Sequence, residues 1–347
     1  MNNKISRSLY LSVSLLYTLL FISITLAEDN KKAVTFNGYL DADVAIDVNN
    51  EFKKPAWQSN QEVDLTSNIV FSEAVSVQLY TTFLTGNVPY GGAPAVNRWG
   101  NLIFDGIALS WTLNEITTLY VGDMVYNAGQ LGYYAYKRPV AYGSVMSEKY
   151  IRGAGIDIQG LSLYMGSSDL ANNQAGFYAA YDFSLNENLS FKPLADIRLG
   201  GVETDWHAAL EFSLSGDFSL NATMGALAEN GADANFTILI EPSYTMGKFS
   251  IAGTYYQAFN TDSTATPVSN IGEEMFAYIE PGLTINDLFA VGLPLEYHLF
   301  DESQIWVVPT AYFYPINDLE VWLWAGGVFP EEGDTGFSAG LELIAEF

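Results

Sequence analysis

Sixteen carboxylates in this chain stand at alternate positions of extended segments, on the side away from the apolar residues. They are Asp41, Asp43, Asp47, Glu62, Asp64, Asp157, Asp182, Asp196, Asp205, Glu211, Glu241, Glu280, Glu296, Glu320, Glu342 and Glu346, and only two bases, Lys192 and Arg198, share that side. Residues two apart on a strand project to one face. In a dry interior each unpaired carboxylate would need a partner or a proton. Water is the cheaper solution, so this face reads as the wall of a hydrated passage at negative potential, favouring cations and neutral solutes over anions. A second arrangement, with the carboxylates at the rims and no selectivity set, stays open because strand parity does not fix depth.

Other groups with chemical potential are fewer. Trp306 and Tyr312 on one segment, with Trp322 and Trp324 on the next, carry aromatic faces beside Glu320; such faces suit sugar rings, and they equally suit plain volume filling. Both histidines, His207 and His298, fall on the carboxylate side, far apart in sequence and without a nucleophile pattern nearby. No HExxH, GxSxG or glycine-rich phosphate loop is present, so no enzyme activity and no cofactor are expected. The acidic groups Asp301-Glu302 and Glu331-Glu332-Asp334 lack the spacing of a calcium loop, and no metal site is expected. Cysteine is absent, which excludes disulfides and a lipid-attachment thiol.

The elements that must position these groups follow a period of two. Val34, Phe36, Gly38, Leu40, Ala42, Val44, Ile46 and Val48 form one stripe, and the last twelve residues repeat it with Phe337, Ala339, Leu341, Leu343, Ala345 and Phe347. Such segments recur near 34–48, 62–72, 75–85, 101–112, 117–126, 150–158, 161–167, 175–184, 189–199, 205–214, 218–228, 235–245, 249–259, 273–284, 288–299, 304–314, 319–329 and 336–347. Brief connections alternate with generally longer ones. Aromatics on the apolar parity cluster at both strand ends: Phe71, Phe212, Phe218 and Phe347 beside short turns, Phe177, Trp206, Phe236 and Phe329 beside long ones. A soluble sandwich would instead place them mid-strand. The pattern predicts an all-β fold, a transmembrane antiparallel β-barrel of about 18 strands, 16 being the alternative. Two segments resist the rule. Asp105 shares the apolar face of 101–112, which suggests a bulge or a shifted boundary, and both faces of 117–126 look usable. Pro242, Pro281 and Pro309 each remove a ladder hydrogen bond and should mark local irregularities.

Residues 1–27 read as a secretory signal peptide: Lys4 and Arg7, an apolar run from Leu9 to Leu26, and small residues ahead of Glu28. Residues 28–347 then form one barrel domain. The chain carries 14 basic and 40 acidic residues, a net charge of −26 that repels nucleic acid.

With its alternating strands and terminal Phe347, the chain resembles the bacterial outer-membrane β-barrel porins, in architecture and without a subfamily motif. That resemblance implies an outer-membrane location, short periplasmic turns and longer extracellular loops. It further implies a terminal strand read by the barrel-assembly machinery, and passive diffusion of small polar solutes. Outer-membrane lipid and lipopolysaccharide are the expected surroundings, with a homotrimer as one assembly state. In general porins the third long loop folds into the barrel. Here that loop is 127–149, and its Tyr133, Tyr134, Tyr136, Lys137, Arg138, Tyr142, Glu148 and Lys149 would face the acidic wall across a constriction. An exposed loop touching outer-leaflet phosphates is the other reading. A sugar-selective porin and a non-conducting structural or adhesive barrel are the alternatives in function.

Overall fold

A computed structural model describes residues 33–49, 56–86, 101–128, 147–169, 173–200, 205–228, 234–259, 274–299, 303–331, 333 and 335–347. The strands are β1 (Ala33–Asn49), β2 (Ala56–Ser72), β3 (Val75–Gly86), β4 (Asn101–Asn114), β5 (Thr117–Ala128) and β6 (Ser147–Ile158). They continue as β7 (Leu161–Asp169), β8 (Gln174–Tyr181 and Phe183–Asn186), β9 (Leu189–Leu199), β10 (Asp205–Leu214), β11 (Phe218–Ala228) and β12 (Asn235–Met246). The last six are β13 (Phe249–Phe259), β14 (Glu274–Asn286), β15 (Phe289–Gly292 and Leu295–Leu299), β16 (Ser303–Val307 and Thr310–Ile316), β17 (Leu319–Pro330) and β18 (Gly336–Glu346). Each pairs antiparallel with its sequence neighbours, and β18 returns to β1 from Tyr39↔Glu346 to Asn49↔Gly336. The result is a closed 18-strand barrel, which leaves no full-length sheet edge in the bilayer. Sixteen strands is therefore not the count.

Short turns of two or three residues lie at one end, as at Gln159-Gly160. There both φ angles are positive (47° and 87°), the twist that a two-residue hairpin requires. At the other end run the longer connections 87–100, 129–146 and 260–273, which lie outside the described residues together with most of the predicted constriction loop. Tyr133, Tyr134, Tyr136, Lys137, Arg138 and Tyr142 are among them. Glu148 and Lys149 fall within β6, near its long-loop end, paired with Asn127 and Tyr126.

Prolines account for the interruptions. Pro193 has no N–H to give, and the break in β8 at Asp182 lies beside it, between the pairs Phe183↔Phe191 and Ala180↔Leu194. Pro294 and Pro309 interrupt β15 and β16 in the same way. The β12–β13 ladder likewise skips from Ile240↔Tyr255 to Ser243↔Ala252 at Pro242, and Pro281 lies across from the break in β15. Asp105 is the extra residue of a bulge, since Tyr80 pairs Gly106 and Thr81 pairs Phe104.

Closure depends on a glycine. Gly38 N–H donates to the Phe347 carbonyl at 2.7 Å, Phe347 N–H returns to Gly38 O at 3.0 Å, and a Cβ on Gly38 would collide with the Phe347 ring. Outward positions carry the apolar side chains. Phe71, Phe212, Phe218, Phe249, Phe313 and Phe347 stand exposed near the short turns, and Phe177, Trp206, Phe236, Phe329 and Phe337 near the other end. These are two aromatic girdles flanking a lipid-facing band. Inside, the inward side chains of β5 to β16 become buried from about mid-strand toward the long-loop end, among them Ile151, Leu239, Tyr256 and Phe276. The lumen is filled along that arc.

Candidate functional site

The lumen is asymmetric in charge. On β18, β1 and β2 the register sets Asp43 opposite Glu342, Asp41 opposite Glu62, and Tyr39 opposite both Asp64 and Glu346. The strands β17, β18, β1, β2 and β3 contain no Lys or Arg. Like charges directly opposite across strands destabilise a sheet. Thr82 Oγ1 donates to Asp64 Oδ1 at 2.6 Å, which ties one carboxylate to the wall. Asp47, higher on β1, pairs through its backbone with Ala56 and Ser338.

Across the barrel the bases are tied to acids. Lys192 Nζ lies 2.7 Å from Glu211 Oε2, and Arg198 Nε lies 3.1 Å from Asp196 Oδ2. Asp182 falls opposite Lys192 by the register on either side of the β8 break, Asp205 is opposite Arg198, and buried His207 is opposite Asp196. Arg198 also reaches Tyr126 Oη at 3.5 Å, where Tyr126 stacks on Tyr178 with ring centroids 4.0 Å apart. Tyr164 stacks on Tyr178 in turn and donates to Asp157 Oδ1 at 3.2 Å. This tyrosine stack was not foreseen from the sequence, although Tyr126, Tyr164 and Tyr178 all sit on the carboxylate parity.

A third patch spans β14 to β17. Glu280 accepts hydrogen bonds from the hydroxyls of Tyr278 and Tyr312, and Gly292 leaves the space its carboxylate occupies. Tyr312 meets Trp322 edge to face at 5.3 Å, and Trp322 Nε1 donates to Glu320 Oε2 at 2.8 Å. Above them His298 Nε2 lies 2.7 Å from Glu296 Oε2, both residues almost fully buried (0% and 2% exposed), with Trp306 packed on the imidazole. Trp324 lies over Gly340, where any Cβ would strike its indole. Glu241, also buried, faces inward from β12 opposite Asn221. The structure thus joins Tyr312 to Trp322 and leaves Trp306 and Trp324 in separate settings.

One rule underlies these contacts. Tyr278 with Glu280, Glu296 with His298, Trp322 with Glu320, Arg198 with Asp196, Tyr80 with Gln78 and Trp306 with Gln304 are each two residues apart on one strand. Same-face neighbours stand about 6.6 Å apart along a strand, a span that a long donor and a carboxylate close together. Donor-x-acceptor spacing on the inward parity was the available signal. The other overlooked pair is Asp123 with Arg152, on the segment whose faces looked equivalent. Arg152 Nε lies 2.6 Å and Nη2 3.2 Å from the two Asp123 oxygens.

No family model matches the chain, and no curated protein matches it. Solved structures do. The outer membrane protein OpdK of Pseudomonas aeruginosa superposes with a TM-score of 0.56 at 12% identity, over 90% of this chain and 98% of that one. OccK9 (OpdG) of the same organism gives 0.57 at 13% identity, over 93% and 100%. A BenF-like porin from Pseudomonas fluorescens Pf-5 gives 0.56 at 14%, over 92% and 99%. At such identity the likeness establishes the fold.

Proposed function

We propose that this chain, a barrel with the fold of the bacterial outer-membrane porins, is a diffusion channel of the outer membrane for small hydrophilic solutes, with a cation-preferring lumen. The observation that carries the reading is the acidic arc on β18, β1 and β2, strands that contain no Lys or Arg, where Asp41, Asp43, Glu62 and Glu342 form two directly opposed like-charge pairs. Wall charges of one sign concentrate counter-ions and exclude co-ions. OpdK has been crystallised with vanillate, a carboxylate. Such an anion would meet a repulsive field along this arc, so the preferred solutes here are cationic or neutral. Residues 1–27 serve export and are removed, the terminal strand ending in Phe347 is read by the assembly machinery, and the barrel sits among lipopolysaccharide, with a trimer as its assembly. We further propose, on the resemblance to general porins, that the loop 127–149 with Lys137 and Arg138 narrows the passage.

The joined Tyr312–Trp322 pair beside Glu280 and Glu320 favours a second reading, selectivity for saccharides. Swelling of proteoliposomes in isotonic solutes of matched size separates the readings. Faster entry of lysine than of glutamate supports the cation-preferring channel, and equal or reversed rates refute it. A saccharide entering faster than an uncharged polyol of the same mass favours the second.

A further inference from the structure

We infer that the barrel wall has a lateral seam between β4 and β5, opening from the lumen to the outer-leaflet side of the bilayer, through which apolar small molecules leave the channel sideways. Among the described residues the β4–β5 ladder runs only from Asn114↔Thr117 to Ala108↔Gly122. Above that point β4 from Asn101 to Gly106 pairs only with β3, and β5 from Asp123 to Ala128 pairs only with β6. Where the β12–β13 and β16–β17 ladders are interrupted, pairing resumes beyond the break. Between β4 and β5 it does not.

The divergence is built by specific residues. Gly122 has φ of +122°, a conformation that side-chain-bearing residues avoid, and a Cβ there would strike the Ile107 carbonyl. The bulge at Asp105 turns β4 further toward β3. Where the next β5 backbone group should meet β4, a side chain stands in. Asp123 Oδ2 accepts the Ile107 N–H at 3.0 Å, and its carboxylate is held by Arg152 on β6. Asp123 is 3% exposed, sealed into the floor of the seam.

Depth follows from the aromatics. Exposed Tyr150, an aromatic near the long-loop end, pairs with Val125, above Asp123 on β5, and half-buried Phe83 pairs with Leu102, above Ile107 on β4. The lower seam therefore lies beneath the interfacial girdle, level with hydrocarbon. On its lipid side Ile107, Val121 and Val125 are exposed, with the half-exposed Arg152 guanidinium beside Asp123 at the floor. On the lumen side it adjoins Met124, Tyr126 and Ile151, part of an apolar cluster in an otherwise acidic lining. A route flanked by Ile107, Val121 and Val125 toward lipid and by Met124 and Ile151 toward the lumen, above the mutually neutralised Asp123–Arg152 pair, suits apolar solutes over ions, for which leaving water at this depth is costly.

The test uses the absence of native cysteine. A Cβ on Gly106 would lie 2.8 Å from Asp123 Cβ, so Gly106→Cys with Asp123→Cys forms a cross-seam disulfide after a shift of about 1 Å. Cells bearing this protein in their outer membrane would be assayed for entry of the hydrocarbon-seeking dye N-phenyl-1-naphthylamine, and purified protein for single-channel conductance in a planar bilayer. The expected result is dye entry reduced under oxidising conditions to the rate of cells lacking the protein, restored by dithiothreitol, with conductance unchanged in both states. Equal dye entry in the two states, with the disulfide verified by mass spectrometry, overturns the seam. Should the double variant fail to fold, Asp123→Asn serves: it weakens the latch and should raise dye entry severalfold over wild type, and an unchanged rate overturns the seam equally. The conductance arm reports on the diffusion channel separately, so a closed pore would count against that reading and not against the seam.

Discussion

Neutralising the acidic arc is the perturbation that probes the lumen most finely. In the variant Asp41→Asn, Asp43→Asn, Glu62→Gln, Glu342→Gln, all four members of the two opposed pairs lose charge while keeping shape. A cation about 6 Å from one carboxylate gains about 0.7 kcal/mol in water. Screening over a Debye length of about 10 Å at 0.1 M salt cuts this to about 0.4 kcal/mol. That is about a twofold local enrichment per carboxylate, and about sixteenfold for four acting together. The wild-type preference for potassium over chloride, read from the reversal potential across a salt gradient, should therefore fall by about sixteenfold or more in the variant at 0.1 M, since the same field also excludes chloride. At 1 M salt the Debye length is about 3 Å, and wild type and variant should converge. Because the removed charges repel one another, the melting temperature of the variant should be equal to or above that of wild type. An unchanged reversal potential at 0.1 M would refute the reasoning, as would a wild-type preference that persists undiminished at 1 M.

Other outcomes follow from single contacts. Gly38→Leu removes the seat of the Phe347 ring, and pulse-chase assembly assays should show slower appearance of the folded, heat-modifiable form. Arg152→Met leaves the buried Asp123 carboxylate without its cation and should lower stability in urea unfolding, whereas Arg152→Met with Asp123→Asn should lower it less, a double-mutant cycle that isolates the pair. Deleting Gln130 to Val145 should raise single-channel conductance if this loop narrows the pore; unchanged conductance would place it outside. Trp322→Ala breaks the edge-to-face pair with Tyr312 and should abolish any oligosaccharide block of current, leaving small-ion conductance intact.

The barrel itself was legible because lipid imposes a period of two on every strand, and each of the eighteen predicted segments falls on a strand. Its inward and outward parities could be read where both faces differ chemically, as in β1 and β18. On β5 they could not, because Asp123 sits on the apolar parity and is reconciled by partners on the neighbouring strands, Arg152 of β6 and the Ile107 N–H of β4. The bulge at Asp105 was signalled by one misplaced acid, and the strand breaks by prolines that cannot donate. What sequence parity could not give was the third dimension of the lumen. It named Asp196 and Arg198 as inward without showing that they pair, and it missed the stack of Tyr126, Tyr164 and Tyr178, whose members come from three strands. The aromatic residues Trp306, Tyr312, Trp322 and Trp324 shared a parity and so looked like one track. Register separates them, setting Tyr312 opposite Trp322 and Trp306 opposite Glu296.

The central claim, an open aqueous channel whose lumen attracts cations, is tested most directly by recording from the refolded wild-type protein in a planar bilayer under a potassium chloride gradient. The account predicts discrete conductance steps whose reversal potential has the sign of a potassium-selective pore. A barrel that inserts without conducting, or a reversal potential of the chloride-selective sign, would contradict it.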